Sequence, residues 1–302
     1  MSQPTDAEFH PLLEQLRACR GNPVLLCHSW LAGDLVPVLY QCLRSVGGGQ
    51  RLDLVLSSYG GSVTATRQVA LLLREYADRL SILVPHRARS AGTLLCLSAD
   101  ELVLSPLAEL GPLDANMSAT ELPAAGTPGV VSAEDIRAFP SMARDWFGVD
   151  QPADGLQLLA MLCQRIFPAS LSSFYRLDKL IREVAAELLA YQLPSDQQAR
   201  DQIVNRLVGG YHAHDYVLTR QDARQLGLRV TDASPEEERL LWEIASRLDR
   251  PRPDGVEQAA EQSSVGVVGI IAAAGFLARN VVRRRGGGSE PATGQSEWQI
   301  DG

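Results

Sequence analysis

The chain has almost no lysine: Lys179 is the only one among 28 basic residues. Acidic residues number 36, for a formal charge of −8 at pH 7. A surface of that sign lacks the basic face that general nucleic-acid binding needs, so no nucleic-acid partner is expected. The five cysteines (Cys19, Cys27, Cys42, Cys96, Cys163) include no CxxC pair. Odd in number and scattered, they read as small apolar residues in a reducing compartment, not as a disulfide frame or zinc site. The opening "MSQPTDAEFHPLLEQL" has no basic region followed by an apolar core, so no secretory leader is expected and the cytoplasm is the default location. No G-x-x-x-x-G-K-[ST] loop is present, so any unfolding ATPase would be a separate protein. The G-x-S-x-G pattern of an α/β-hydrolase elbow is also missing, and no histidine lies between His86 and His212. Long apolar runs are scarce. The one candidate, "SSVGVVGIIAAAGFLARNVV", meets Arg279 before the roughly 20 residues a spanning helix wants. A strand pair or partner-docking segment is the commoner reading of a glycine-broken, valine-rich run. Membrane association through residues 264–282, or with a membrane-associated partner, is the other.

What remains is ordinary globular composition, 45% hydrophobic and 21% charged over 302 residues, enough for a substantial core. Short apolar strands alternate with amphipathic helices over residues 22–106: "NPVLLCHSW", "GDLVPVLYQCLRSV", "RLDLVLSS", "VTATRQVALLLREYADR", "LSILVPH" and "ADELVLSP". That alternation predicts an α/β fold with a parallel sheet and crossover helices. Asp34 stands near the start of the second segment, where an acid complements a helix dipole. From about residue 132 the pattern turns helical. Ser132 with Asp135, and Thr219 with Asp222, read as helix starts. Residues 1–21 are a lead-in, 22–232 the main domain, 233–262 a helix and linker, 263–282 the apolar segment and 283–302 a disordered tail. The stretch 116–131, rich in Ala, Pro, Gly and Thr, reads as a mobile loop.

Two strand-to-helix junctions about 30 residues apart carry the chemistry. At Tyr59-Gly60-Gly61-Ser62 the glycines let a substrate approach the main chain closely. At Arg89-Ser90-Ala91-Gly92 a serine opens a helix. In a parallel sheet both turns lie at the carboxyl ends of neighbouring strands, where such folds bind ligands and exposed amides suit an oxyanion. Ser90 is placed for acyl transfer. Taken alone it is equally an N-cap, and Gly60-Gly61 alone is only a turn.

The series "LDLVLSSYGGSVTATRQVALLLREY … ILVPHRARSAGTLLCLSADELVLSPLAELGPLDAN" resembles the Clp-fold serine proteases of the ClpP/crotonase superfamily. Within them it is most similar to the serine dehydrogenase proteinase family, related to signal peptide peptidase A. "VSAEDIRAF", "ASLSSFYRLDKLIREVAAELL" and "YHAHDYVLTRQDARQLGL" extend the resemblance across residues 22–232. It implies a ClpP/crotonase-like fold of repeated ββα units with crossover helices, followed by a helical C-terminal part. It also implies Ser90 as nucleophile, Gly61 and Ala91 as oxyanion donors, and Gly60 as a shaper of the groove. Tyr59 departs from the proline that relatives carry before their two glycines.

The general base has two candidates. The histidine that ClpP carries soon after its serine is missing. Peptidase A relatives use a Ser-Lys dyad, for which Lys179 is the sole lysine available, although Asp178 and Arg182 beside it suggest a solvated face. His214, in "YHAHDYVLTR", is the other, with Asp114 or Asp215 as a possible orienting carboxylate. His212-x-His214 as a metal pair is thin evidence, no metal or cofactor is expected, and His28 and His86 read as structural. Asp100-Glu101 reads as a helix-to-strand turn. The expected activity is a serine endopeptidase acting on peptide or protein substrates, within a homo-oligomer. A silent scaffold of the same fold, or a crotonase-like acyl-CoA enzyme, are the alternatives.

Overall fold

A computed structural model describes residues 6–118, 130–149, 152–248, 265–273, 275–283 and 295–301. Most of the expected loop, 119–129, lies outside the described residues, as do the linker at 249–264 and tail positions 284–294. The chain opens with α1 (Asp6–Arg20), β1 (Val24–His28), α2 (Leu35–Val46), β2 (Gly49–Ser57), α3 (Val63–Tyr76) and β3 (Ala77–Val84). Short elements follow: β4 (Arg87–Ala88), α4 (Ala91–Cys96), β5 (Glu101–Leu104) and β6 (Glu109–Leu110). β1, β2, β3 and β5 pair in parallel, as the alternation of the sequence implies. β4 leaves the main sheet to pair with β6, so β3, β4 and α4 make one ββα unit.

β7 (Asn116–Ser118) and β8 (Val130–Ser132) form a small antiparallel pair. Then come α5 (Ala133–Phe147), α6 (Pro152–Arg165), α7 (Pro168–Gln192), α8 (Gln197–Gly209), α9 (Arg220–Gln225), β9 (Val230–Thr231) and α10 (Pro235–Leu248). Both expected capping boxes are present. Ser132 accepts from Asp135 N–H while Asp135 accepts from Ser132 N–H, and Thr219 and Asp222 do the same. α6 has no counterpart among the sequence expectations, because Asp154-Gly155 in its first turn reads as a turn signal.

β10 (Val265–Ala273), β11 (Phe276–Arg283) and β12 (Gln295–Asp301) complete an eight-stranded sheet in the order β12-β11-β10-β1-β2-β3-β5-β9. The apolar run is thus a strand hairpin, antiparallel to β1 and folded at Gly275. Among the described residues no helix is long and apolar enough to cross a membrane. Residues 295–301, expected to lack structure, instead form β12, because β11 offers them a strand edge. Asp34 stands at the N-cap of α2, at the helix start expected from the sequence. It makes no capping bond to α2; its carboxylate accepts from Trp298 Nε1 on β12 at 3.1 Å.

Side chains alternate across the sheet with period two. Leu25, Cys27, Leu52, Leu54, Leu56, Leu80, Ile82 and Leu102 face the larger core, under α2, α3, α4 and α7. Val24, Leu26, Val55, Leu83 and Val103 face a second core with α1 and α10. Burial pushes the thiols of Cys27 and Cys42 up to about 12 and raises that of Cys96, so these three behave as apolar core residues. Cys19, by contrast, is exposed.

One charged group interrupts the second face. Asp53 is fully buried, and its carboxylate accepts from Arg20 Nε at 2.6 Å and Asn22 Nδ2 at 3.1 Å. Arg20 also donates to Glu237 at 2.7 Å, so one guanidinium joins α1, β2 and α10. Removing one partner strands the other charge in low dielectric. Asp53→Ala is expected to cost about 3–5 kcal/mol in urea unfolding; a loss under about 1 kcal/mol would mean that Glu237 and Glu101, 2.7 and 3.5 Å from the guanidinium, satisfy Arg20 without it.

Candidate active site

Three strand ends converge at one cleft. Beyond β2, Ser58 bridges in parallel to Ala88: its N–H donates to Arg87 C=O at 2.9 Å, and Arg89 N–H donates back to Ser58 C=O at 3.0 Å. Beyond β1, Leu31 bridges to Gly61, donating to Gly60 C=O at 2.9 Å and accepting from Ser62 N–H at 2.7 Å. A Cβ at Gly61 would stand 2.2 Å from Leu31 O, and its φ of +151° disfavours any side chain. In that register the bonds to Leu31 use Gly60 C=O and Ser62 N–H and leave the Gly61 amide out.

Ser90 has φ 51° and ψ −116°, the only non-glycine residue with positive φ among those described. It makes no side-chain capping bond to α4. An N-cap normally sits in the extended region and accepts from the first turn, so this serine is not serving as one. Strain of this kind costs on the order of 1–3 kcal/mol and persists only where neighbours enforce it. The neighbours are visible. Gly92 N–H donates to Arg89 C=O at 2.8 Å, Leu94 N–H donates to Ser90 C=O at 3.0 Å, and Thr93 Oγ1 donates to Ala88 C=O at 2.7 Å while accepting from Gly111 N–H at 2.9 Å. Arg89 pairs with Glu109 at 2.6 Å. A Cβ on Gly60 would lie 3.3 Å from Ser90 Cβ, so this glycine leaves room above the serine. Among the described residues no hydrogen bond uses the N–H of Gly61 or Ala91. Gly60 N–H, by contrast, is held by Ser58 Oγ at 3.2 Å.

These turns open on a cleft of about 830 Å³. Ser90, Gly60, Gly61 and Ala91 line it, and so do Asp114 and His214. The turn "LGPLD" therefore contributes its acid, and the loop between α8 and α9 contributes its histidine. Asp114 Oδ1 is buried and without a hydrogen-bond partner among the described residues. Burial pushes the Asp114 carboxyl above its ordinary value; a Ser132 hydrogen bond and the charges of His214 and Arg137 pull it back, while Glu134 adds to the rise. Asp114 and His214 are thus electrostatically coupled within one cleft.

The other candidates lie elsewhere. Lys179 is exposed on α7, does not line the cleft, and holds its ammonium 5.6 Å from the Tyr175 ring centroid. The expected solvated face is what the structure has there: Asp178 pairs with Arg137 at 2.7 Å and Arg182 at 3.0 Å. Asp215 is exposed and off the cleft. His212 lines it, but among the described residues no group of three or more His, Cys, Asp or Glu could hold a metal. His28 meets Ser57 Oγ at 2.9 Å, and His86 lies 3.8 Å from Glu109. Asp100 accepts from Arg74 and from Leu80 N–H, both at 2.7 Å, which is the turn role expected of it. Sequence reasoning gave no part to Ser132, Glu134, Thr93 or Trp30. Ser132 carried only a capping signal, Glu134 carried none, and Thr93 acts through a backbone carbonyl that no motif displays.

Residues 34–138 match the family of ClpP-like SDH-type serine proteinases. Two uncharacterized proteins of Methanocaldococcus jannaschii are 29% and 26% identical, over 71% and 70% of this chain. The chain spans less than two thirds of their length, 65% and 62%. Among solved structures, a ClpP1 mutant from Listeria monocytogenes is similar at 11% identity and TM-score 0.38, over 76% of this chain and 98% of that one. A mutant of the 1510-N membrane-bound stomatin-specific protease, in complex with a substrate peptide, is similar at 14% identity and TM-score 0.41, over 72% of this chain and 78% of that one.

The Asp114 carboxyl makes a pH prediction. Its proton is held more tightly in the folded chain than in the unfolded one, so above that raised pKa the ionised form opposes folding, and the penalty fades as pH falls through it. Asp114→Asn is therefore expected to melt higher than wild type at pH 7, with the gap closing toward pH 4. A variant that melts lower at pH 7 would show that the bonds accepted by the carboxylate outweigh its burial.

Proposed function

We propose that this chain, whose residues 34–138 belong with the ClpP-like SDH-type serine proteinases, is a serine endopeptidase that cleaves peptides through an acyl-enzyme at Ser90. The observation that carries the proposal is the strained backbone of Ser90, held out of capping geometry at the floor of the cleft. Ser90 Oγ attacks the scissile carbonyl carbon and its proton passes to His214. The oxygen becomes an oxyanion, received by the N–H groups of Gly61 and Ala91, which have no other acceptor among the described residues. Collapse of that intermediate breaks the C–N bond, and His214 returns the proton to the leaving amine. Water then attacks the ester by the same route and frees Ser90. Asp114, coupled to His214 by charge, orients the imidazole and offsets the imidazolium formed at each attack.

The lining of the cleft favours a peptide over an acyl-CoA. It includes Asp114, Glu134 and Asp135, and no arginine or lysine among the described residues, where the phosphates of CoA would call for cations. Assembly into a homo-oligomer belongs to the proposal, supported by exposed apolar side chains on α5–α7: Trp146, Phe147, Leu156 and Phe167. So does a reducing, cytoplasmic setting, supported by five cysteines that form no disulfide. A separate ATPase or a membrane-associated partner would supply substrate.

Labelling with a fluorophosphonate tests the reading. Wild type is expected to label, and Ser90→Ala not at all. His214→Ala should slow labelling by about 10²-fold or more, and Lys179→Ala should stay within about threefold of wild type. If Lys179→Ala is the slow variant while still folded, the base is the lysine. Folded wild type that never labels would leave the scaffold reading in its place.

A further inference from the structure

Two large aromatic side chains stand in the cleft with much of their surface bare: Trp30 is 58% exposed and Tyr59 47%. Elsewhere along these strand ends the pattern is the reverse. Leu31, next to Trp30, is completely buried, and Ser58, next to Tyr59, is 1% exposed. Strand alternation therefore sends Leu31 and Ser58 inward and turns the two rings toward the cleft. An aromatic ring of this size gains most when both faces are covered, so exposed rings in a concave site mark surface kept for a ligand.

Their placement ties them to the reacting atoms. Trp30 Cζ3 lies 3.6 Å, and Ser90 Cβ 3.3 Å, from the point where a Cβ on Gly60 would stand. The indole and the serine thus approach the same glycine, so a peptide bound at Ser90 lies beside the Trp30 ring. Tyr59 adjoins that glycine in the chain, and its ring is fixed from outside. Arg87 Nη1 donates to Tyr59 Oη at 3.0 Å, and the guanidinium carbon sits 4.9 Å from the ring centroid. Arg87 is itself anchored in β4 opposite Glu109. With its hydroxyl and one face engaged by Arg87, the tyrosine presents an apolar face to the cleft. Leu94, Leu113 and Ile181 add aliphatic wall around it.

We infer that Trp30 and Tyr59 form an aromatic subsite that selects a large apolar or aromatic side chain of the peptide next to the scissile bond, with Arg87 as the residue that positions Tyr59. The inference rests on the peptidase reading for its substrate class but not on the identity of the base. A small side chain at that position leaves both rings wet, and a carboxylate there meets Asp114 and Glu134 across the cleft. Arg87 reaches the cleft through Tyr59 and also meets the His86 ring at 3.1 Å, so its loss loosens the tyrosine without removing the subsite.

The test measures binding separately from catalysis. In full-length Ser90→Ala protein, fluorescence polarisation is followed with fluorescent decapeptides identical except for one central residue: Ala, Leu, Phe or Asp. Phe and Leu peptides are expected to bind about tenfold or more tightly than the Ala peptide, and the Asp peptide most weakly. Adding Trp30→Ala or Tyr59→Ala should bring the Phe-to-Ala ratio within about threefold. Arg87→Met should lower it partway, and Trp30→Phe should keep it, which guards against a variant that merely misfolds. A ratio that persists in folded Trp30→Ala and Tyr59→Ala proteins, or the absence of any preference before they are introduced, overturns the subsite. Fluorophosphonate labelling of the chain with Ser90 intact is read in parallel. Apolar preference without labelling would sink the peptidase reading and leave the subsite standing; labelling with a ring-independent preference would do the opposite.

Discussion

One close approach governs the cleft: the main chain of Gly61 lies against that of Leu31 with no space for a side chain between them. This contact carries the β1–β2 pairing past the ends of both strands and fixes the direction in which the Gly61 amide faces. The Ser58–Ala88 bridge does the same between β2 and β4, one strand further on. The glycine turn and the serine turn are thereby held by ladder hydrogen bonds rather than by side-chain packing. Amide positions inherited from a sheet register vary little, which is what an oxyanion site requires. Thr93 adds the third tie, bonding both Ala88 C=O and Gly111 N–H, so the turn that carries Asp114 is registered against the turn that carries Ser90.

The C-terminal strands extend this logic to the far edge. β10 pairs along β1, and a Cβ on its Gly269 would come within 2.9 Å of Ser29 Oγ. Ser29 Oγ in turn donates to Trp30 C=O at 2.9 Å. β12 closes over the start of α2 through Trp298 and Asp34. The glycine-broken apolar segment, whose composition favoured a strand pair or docking segment over a membrane anchor, is therefore a buttress behind the strand end that supplies one wall of the cleft. Ile270 and Ile271 of this segment are apolar because each faces one of the two cores.

How much of this was legible in the sequence follows from how local each signal is. The parallel strands and crossover helices were legible because each carries its own period of apolar residues, and Ser132 and Thr219 announced their helices by capping boxes that depend on three neighbouring residues. Ser90 was only half legible. A serine before an alanine-glycine helix start is written the same way whether it caps or attacks; what separates the two is φ, which the strands around it impose. The base was less legible still. His214 and Asp114 are brought to one cleft by the return of α8 and its following loop, a placement that no spacing encodes, whereas Lys179 drew notice as the sole lysine available for a Ser-Lys dyad. β12 was hidden for a related reason: "QSEWQID" is polar and reads as a tail until β11 gives it an edge to join.

The combination of features weighs against a silent scaffold on energetic grounds. A non-glycine residue in this region of backbone space is a standing cost, and so is a buried carboxylate oxygen without a hydrogen-bond partner among the described residues. Each alone is tolerable in a protein whose net stability is on the order of 5–15 kcal/mol. Both, however, lie within one cleft, beside the N–H groups of Gly61 and Ala91. Under the proposed mechanism a tetrahedral oxyanion would accept from Gly61 and Ala91, and an imidazolium at His214 would face the Asp114 carboxylate. A binding surface would gain nothing from such unmet groups, since drift toward a relaxed turn at Ser90 would stabilise the fold without altering its exterior. Their persistence together is what a site complementary to a transition state, and not to any ground state, is expected to show.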